Sequence, residues 1–217
     1  MKVEIWSDIV CPFCYIGKRR FEKALASFSQ KDKVEVVYRS FQLDPDMKPE
    51  KGISVSQYLS EKKGIPLEQA REMNEYVTGM AKEEGLVFDF GKAVISNTLL
   101  AHRLLQLAKQ HHVQVQVKEK LMAAYFTEGK DIGDPVQLVQ IGESAGLKGE
   151  DINAIFGNDK YAEEVETDQY MAQQLRVQGV PFFVFDNKYA VSGAQAVSVF
   201  SEVMQKRLEE ETAIAGS

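Results

Sequence analysis

The chain has 217 residues, 44% of them hydrophobic, enough to bury a sizeable core in one domain carrying an insertion. Its 26 basic residues against 32 acidic ones give a net charge of −6 at pH 7, which argues against a nucleic-acid or anionic-membrane partner. No stretch approaches the ~20 apolar residues of a membrane span. Met1 to Asp8 passes straight into an extended run with no apolar signal core, so a cytoplasmic location is expected.

Val3-Glu4-Ile5-Trp6 is short and apolar-rich and reads as a strand. Cys11-Pro12-Phe13-Cys14 follows and holds the only two cysteines of the chain. From Tyr15 to Phe28 the pattern is helical, with Ile16, Phe21, Ala24, Leu25 and Phe28 sharing a face. A CxxC between a strand and a helix has a specific use. The first cysteine meets unpaired backbone N–H groups and the positive end of the helix dipole, which favour a thiolate. The second lies one turn on, within reach of a mixed disulfide formed at the first. Pro12 suits the first helical position, where its missing N–H costs nothing. Cys11 is expected to be an exposed nucleophile and Cys14 its buried resolving partner. A zinc half-site is a competing reading, but His102, His111 and His112 lack the spacing to complete it. A cluster bridging two chains would find only half of its ligands here, and inert buried cysteines seldom take this spacing. No metal is expected.

Val34 to Phe41 reads as a second strand, ended by Asp44-Pro45. Strand, helix and strand make a βαβ unit with parallel pairing. Residues 45–54 lead out of the sheet, and from Val55 to about Gly157 the pattern is mostly helical. Pro66 opens a helix through Ala70, Met73, Val77, Met80 and Ala81 that Gly85 closes. Leu86 to Phe90 is a loop or short extended segment. Ser96 or Asn97 caps a helix carrying Leu100, Leu104, Leu107 and Ala108. The next helix carries Val113, Val117, Leu121, Ala124 and Tyr125. Asp134-Pro135 starts another, with Gly146 as its stop, and Glu150 to Phe156 is a short one. Lys160 to Gln178 reads as a helix stopped by Gly179. Val180 to Phe185 is an apolar strand with Pro181 at its start, where a missing donor is tolerated. Asp186-Asn187-Lys188 turns into a return strand, Tyr189 to Ser192. A final helix runs through Val199, Val203 and Leu208, and Glu209 to Ser217 are expected to fray. The expected division is a discontinuous body, residues 1–44 and 160–210, a helical insertion, 45–159, and a tail, 211–217.

Five landmarks span most of the chain: Asp8 ahead of Cys11-Pro12-Phe13-Cys14, Arg39 to Pro45, Asn97 to Leu104, Gly179 to Phe185 and Tyr189 to Gln195. In them the chain resembles the DsbA family, an α/β thioredoxin fold with an inserted all-helical domain. Within it the chain is similar to the FrnE-like and 2-hydroxychromene-2-carboxylate isomerase-like branch. The usual middle pair in this branch is Pro-Trp, so Phe13 is a departure. The resemblance implies a thiol–disulfide oxidoreductase acting on protein or small-molecule disulfides, with glutathione as an optional co-substrate and no other cofactor. It implies that Pro181 is a cis-proline facing the dithiol. The Val180 backbone, Pro12 and Phe13 would then meet the substrate. Asp8 would raise the Cys11 pKa, or else serve as a turn residue. Glu4 is a second candidate acid, and His102 reads as a core or interface histidine. Two other classes stay open: a glutathione-dependent isomerase or kappa-type transferase, which would place serine at position 11, and a redox-switched adaptor. The oligomeric state and the direction of electron flow are left open.

Overall fold

The computed structural model describes residues 1–49 and 52–215. Four strands make one sheet in the order β2-β1-β3-β4. β1 (Lys2–Ser7) pairs parallel with β2 (Glu35–Ser40), and α1 (Pro12–Ala26) crosses between them. β3 (Phe182–Phe185) joins the other side of β1 antiparallel, with Ile5 opposite Phe183. Its hairpin partner is β4 (Tyr189–Ser192). Asp186 and Asn187 both take positive φ, 47° and 55°, the pair of values a two-residue hairpin turn with matching twist requires.

Between β2 and β3 the chain is helical: α2 (Val55–Lys63), α3 (Leu67–Glu83), α4 (Leu99–Gln110), α5 (Gln114–Ala123), α6 (Pro135–Ser144), α7 (Gly149–Phe156) and α8 (Ala162–Gln174). α5 runs on into a π-helical turn, Ala124–Glu128, and α9 (Val197–Ala215) ends the described chain.

Strand alternation divides the core. Val3 and Ile5 face α1 and α9, packing with Phe21, Phe183, Phe185 and Phe200. Trp6 faces α8, where it packs on Ala172 and gives its indole N–H to the Asp168 carbonyl at 2.8 Å. The dithiol belongs to neither group. Cys11, Cys14, Tyr15 and Ile16 pack instead into the helical core with Leu104, Leu121 and Phe126. α1 therefore has one face on the sheet and its first turn on the inserted helices.

Several boundaries differ from expectation. α8 spans Ala162–Gln174, shorter than Lys160 to Gln178, because Tyr161 and Arg176 both take positive φ. Arg176 makes the stop, giving its N–H to the Gln173 carbonyl at 2.9 Å, so Gly179 is not the stop. The N-cap of α4 is Thr98, with no side-chain cap bond, rather than Ser96 or Asn97; Asn97, one residue earlier, accepts the Leu99 N–H on its side-chain oxygen at 2.9 Å, while Ser96 turns to Asp131 at 2.6 Å. The end of the chain is helical to Ala215 rather than frayed from Glu209. Lys188 reaches Glu210 at 2.7 Å and Arg207 reaches Asp186 at 2.9 Å, tying α9 to the hairpin. Of the expected tail, residues 216–217 lie outside the described residues.

Candidate active site

Cys11 occupies the N-cap of α1 with extended backbone, φ −86° and ψ 112°, and Pro12 takes the first helical position. The Cys11 carbonyl accepts the Cys14 N–H at 3.0 Å, closing the first turn and placing the second thiol beside the first. The first turn carries no acidic side chain. Cys11 was expected to be exposed. It is 4% exposed and Cys14 2%, because the first turn is roofed by the helical insertion. What distinguishes the two is a cavity of about 560 Å³, lined by Cys11, Pro12 and Phe13 but not by Cys14. Phe13, 42% exposed, stands at its rim.

Val180 and Pro181 cover the dithiol from the other end of the chain. The Cys11 thiol points at the Val180 carbonyl, Sγ to O 3.6 Å, and the peptide bond between Val180 and Pro181 is cis. The Pro181 carbonyl accepts the Gly193 N–H at 2.8 Å. On the other side Pro181 meets Gly17 of α1, where a Cβ would lie 2.9 Å from Pro181 Cγ. Alanine at 17 would gain about 1 kcal/mol of helix propensity. It would lose about 1–3 kcal/mol by driving a rigid ring back from the helix. Gly17→Ala is therefore expected to lower stability by about 1 kcal/mol in urea unfolding. It should also speed Cys11 alkylation more than Cys14 alkylation, since the segment driven back is the one covering Cys11. An equal change at both thiols would refute this.

Asp8 is buried below the dithiol and fully partnered. One carboxylate oxygen accepts the Ile9 N–H at 2.8 Å and faces His102 Nε2 at 3.1 Å; the other accepts the Leu43 N–H at 2.9 Å. Burial acts to raise its pKa. The His102 hydrogen bond and charge, the Leu43 N–H and the Lys118 ammonium outweigh burial and hold it below the ordinary carboxylate value. The Cys11 thiol is pushed well above the ordinary thiol value. Its hydrogen bond to Cys14 is the first cause, followed by burial and the Cys14 charge, with Asp8 adding a smaller push. The thiolate-favouring helix end is thus opposed at this site by a buried, coupled pair and an acid.

His102 is a core histidine: it is fully buried, bonded to Asp8, and its Nδ1 has no partner among the described residues. Glu4 is a correction. It projects on the α8 side of β1, away from the cavity, where Arg39 binds it together with Asp168 at 2.8 Å and Lys2 approaches at 3.3 Å. Burial raises its pKa, but Arg39 and Lys2 prevail and it sits below the ordinary value.

Two residues at the site escaped the sequence reading. Lys118 of α5 is fully buried, gives its ammonium to the Ser7 carbonyl at 3.3 Å, and stands 5.6 Å over the Tyr38 ring. Burial lowers its pKa to about 8 against the pull of Cys14, Asp8 and Cys11. Tyr125, in the π-helical turn, lines the cavity; burial, then Asp8 and Tyr58, raise its pKa. The signal was present. Gln114, Val117, Lys118, Leu121, Met122 and Tyr125 form one helical face, so Lys118 is a charge on an apolar stripe. Among the described residues no three His, Cys, Asp or Glu side chains group as metal ligands, and no helix is long and apolar enough to cross a membrane.

Residues 2–205 match the family described as DSBA-like thioredoxin domain. The chain is similar, at 40% identity, to a probable DsbA oxidoreductase from Streptomyces coelicolor; the alignment covers 97% of this chain and 91% of that one, with a TM-score of 0.91. Two solved structures share the fold at lower identity. The cytosolic disulfide reductase DsbM from Pseudomonas aeruginosa, solved with GSH, has 15% identity and a TM-score of 0.68 over 96% of this chain and 100% of that one. A 2-hydroxychromene-2-carboxylate isomerase has 14% identity and a TM-score of 0.68 over 99% of both chains.

Proposed function

The chain belongs to the DSBA-like thioredoxin domain family, and on that footing we propose that it is a thiol–disulfide oxidoreductase working through Cys11 and Cys14. The observation that carries the reading is that, of two adjacent thiols, Cys11 alone lines the cavity. In the reductive direction the Cys11 thiolate attacks one sulfur of a substrate disulfide. The S–S bond breaks, and the departing sulfur takes a proton and leaves as a thiol. The Cys14 thiolate then attacks Cys11 Sγ, releasing the second thiol and leaving the protein disulfide. Run backwards, the same steps oxidise a substrate dithiol. Val180, Pro12 and Phe13 hold the substrate sulfur over Cys11, and Pro181 keeps the Val180 carbonyl against the thiol. Asp8 adds a smaller push towards the protonated Cys11 thiol, behind the Cys14 hydrogen bond and burial. An isomerase reading uses the same cavity but gives Cys14 no task, which favours the dithiol. The neighbour DsbM is described as cytosolic, in keeping with a cytoplasmic place of work.

The test is an equilibrium titration in dithiothreitol and glutathione redox buffers, with thiols counted by alkylation and mass. One two-electron transition in which both thiols disappear together is expected. A state in which Cys14 stays alkylatable after Cys11 is oxidised would reject the reading.

A further inference from the structure

We infer that the sulfur presented to Cys11 is carried on an uncharged, apolar group of aromatic size, and that glutathione is not the ligand the cavity selects. This rests on the dithiol reading and concerns what occupies the space beside it. At about 560 Å³ the cavity is in the range of small-molecule sites. Its walls away from the dithiol are mainly apolar, with Tyr58 of α2, Met73, Tyr76 and Val77 of α3, Phe90 and Tyr125 among them, and Asn74, Ser96 and Thr98 as uncharged polar members. The rim is apolar as well: Phe13, Met73 and Tyr76 are 42%, 39% and 70% exposed, an arrangement a soluble chain seldom leaves bare without a ligand.

Charge points the same way. Among the described residues the wall carries two acids, Asp8 and Asp44, and one cation, Lys63. Asp8 is spent on its backbone and histidine partners, and Asp44 on Lys62 and Tyr58, at 2.6 and 2.5 Å. Glutathione would bring two carboxylates and an ammonium into this space. One lysine cannot pair both carboxylates, and the acids already present repel them, so their lost hydration would go uncompensated. An uncharged group meets no such cost. Tyr125 is buried and lines the cavity with its phenol. It offers one polar contact, suited to a carbonyl or hydroxyl on the ligand.

The experiment follows oxidation of the reduced full chain by three disulfides under dithiothreitol recycling: 4,4′-dithiodipyridine, neutral and aromatic; bis(2-hydroxyethyl) disulfide, neutral and polar; and oxidised glutathione. Each turnover consumes one disulfide and one dithiothreitol, yielding two thiols and oxidised dithiothreitol. Each rate is divided by that of the same reagent with dithiothreitol alone. The normalised rate for the aromatic reagent should exceed the other two at least about ten-fold, and Met73→Asp should reduce that preference about ten-fold. Met73 is half-exposed, so the aspartate is tolerated by the fold. Equal normalised rates, a preference for glutathione, or a preference unmoved by Met73→Asp would overturn this inference and leave the dithiol reading standing. Insulin disulfides reduced as well as the aromatic reagent would assign the cavity to a peptide and overturn it too. No rate above background with any disulfide would overturn both.

Discussion

A Cys14→Ser chain is expected to react once and stop. Cys11 lines the cavity and remains able to attack a disulfide, so one equivalent of thiol should be released per chain in a burst. The second attack is then missing. In the intact protein it is intramolecular: the Cys14 N–H is bonded to the Cys11 carbonyl at 3.0 Å, and the two side chains share one turn of α1. An external thiol at millimolar concentration replaces that geometry poorly, so turnover should fall more than about 1,000-fold, given the effective molarities of oriented intramolecular attack. The mixed disulfide should accumulate on Cys11, and mass spectrometry of the unreduced protein would find it there. Cys11→Ser should give neither burst nor adduct. If Cys11→Ser showed the burst instead, or Cys14→Ser kept turning over, the roles of the two thiols would have to be exchanged or abandoned.

Much of this arrangement is local and so was legible in the chain. The βαβ start, the CxxC at a helix N-terminus, the Asp-Asn-Lys turn and the Asp134-Pro135 cap each depend on a few adjacent residues. The errors arise where distant contacts decide. Gly179 looked like the stop of α8, yet Arg176 takes the left-handed position three residues earlier, where Val177 also bonds back to Ala172. Glu4 reads as a second candidate acid, under the sheet, but alternation along β1 sends it to Arg39 and Asp168, away from the dithiol. Cys11 looked exposed because a helix N-terminus usually is. The insertion that buries it lies more than forty residues later, and no pattern around positions 11–14 records it.

Lys118→Met is expected to stabilise the protein at neutral pH while making its thiols less reactive. The ammonium is fully buried with one hydrogen bond, to Ser7, and burial lowers its pKa from 10.5 to about 8. An amine whose folded pKa is depressed is protonated in the unfolded chain up to its ordinary value, but in the folded chain only up to about 8. Between those values the unfolded state binds more protons, so stability rises as pH rises from about 8 towards 10.5. Below the window the full cost applies, about 3 kcal/mol for a shift of this size. Methionine fills nearly the same space without the charge, and forfeits about 1 kcal/mol for the Ser7 bond. The net gain at pH 7 should be about 2 kcal/mol, with the rise above pH 8 abolished. The same substitution removes a positive charge beside the dithiol. Cys14 and Cys11 hold the lysine proton more tightly when they are thiolates, and by reciprocity the ammonium favours those thiolates. Alkylation of the reduced variant should therefore need a higher pH than the parent. Urea unfolding at pH 7 and 9.5, with the pH profile of alkylation, tests both halves. A variant destabilised at pH 7 that keeps the parent's pH slope would show that the amine is a structural strut, neutral in the fold, and that its charge does not act on the thiols.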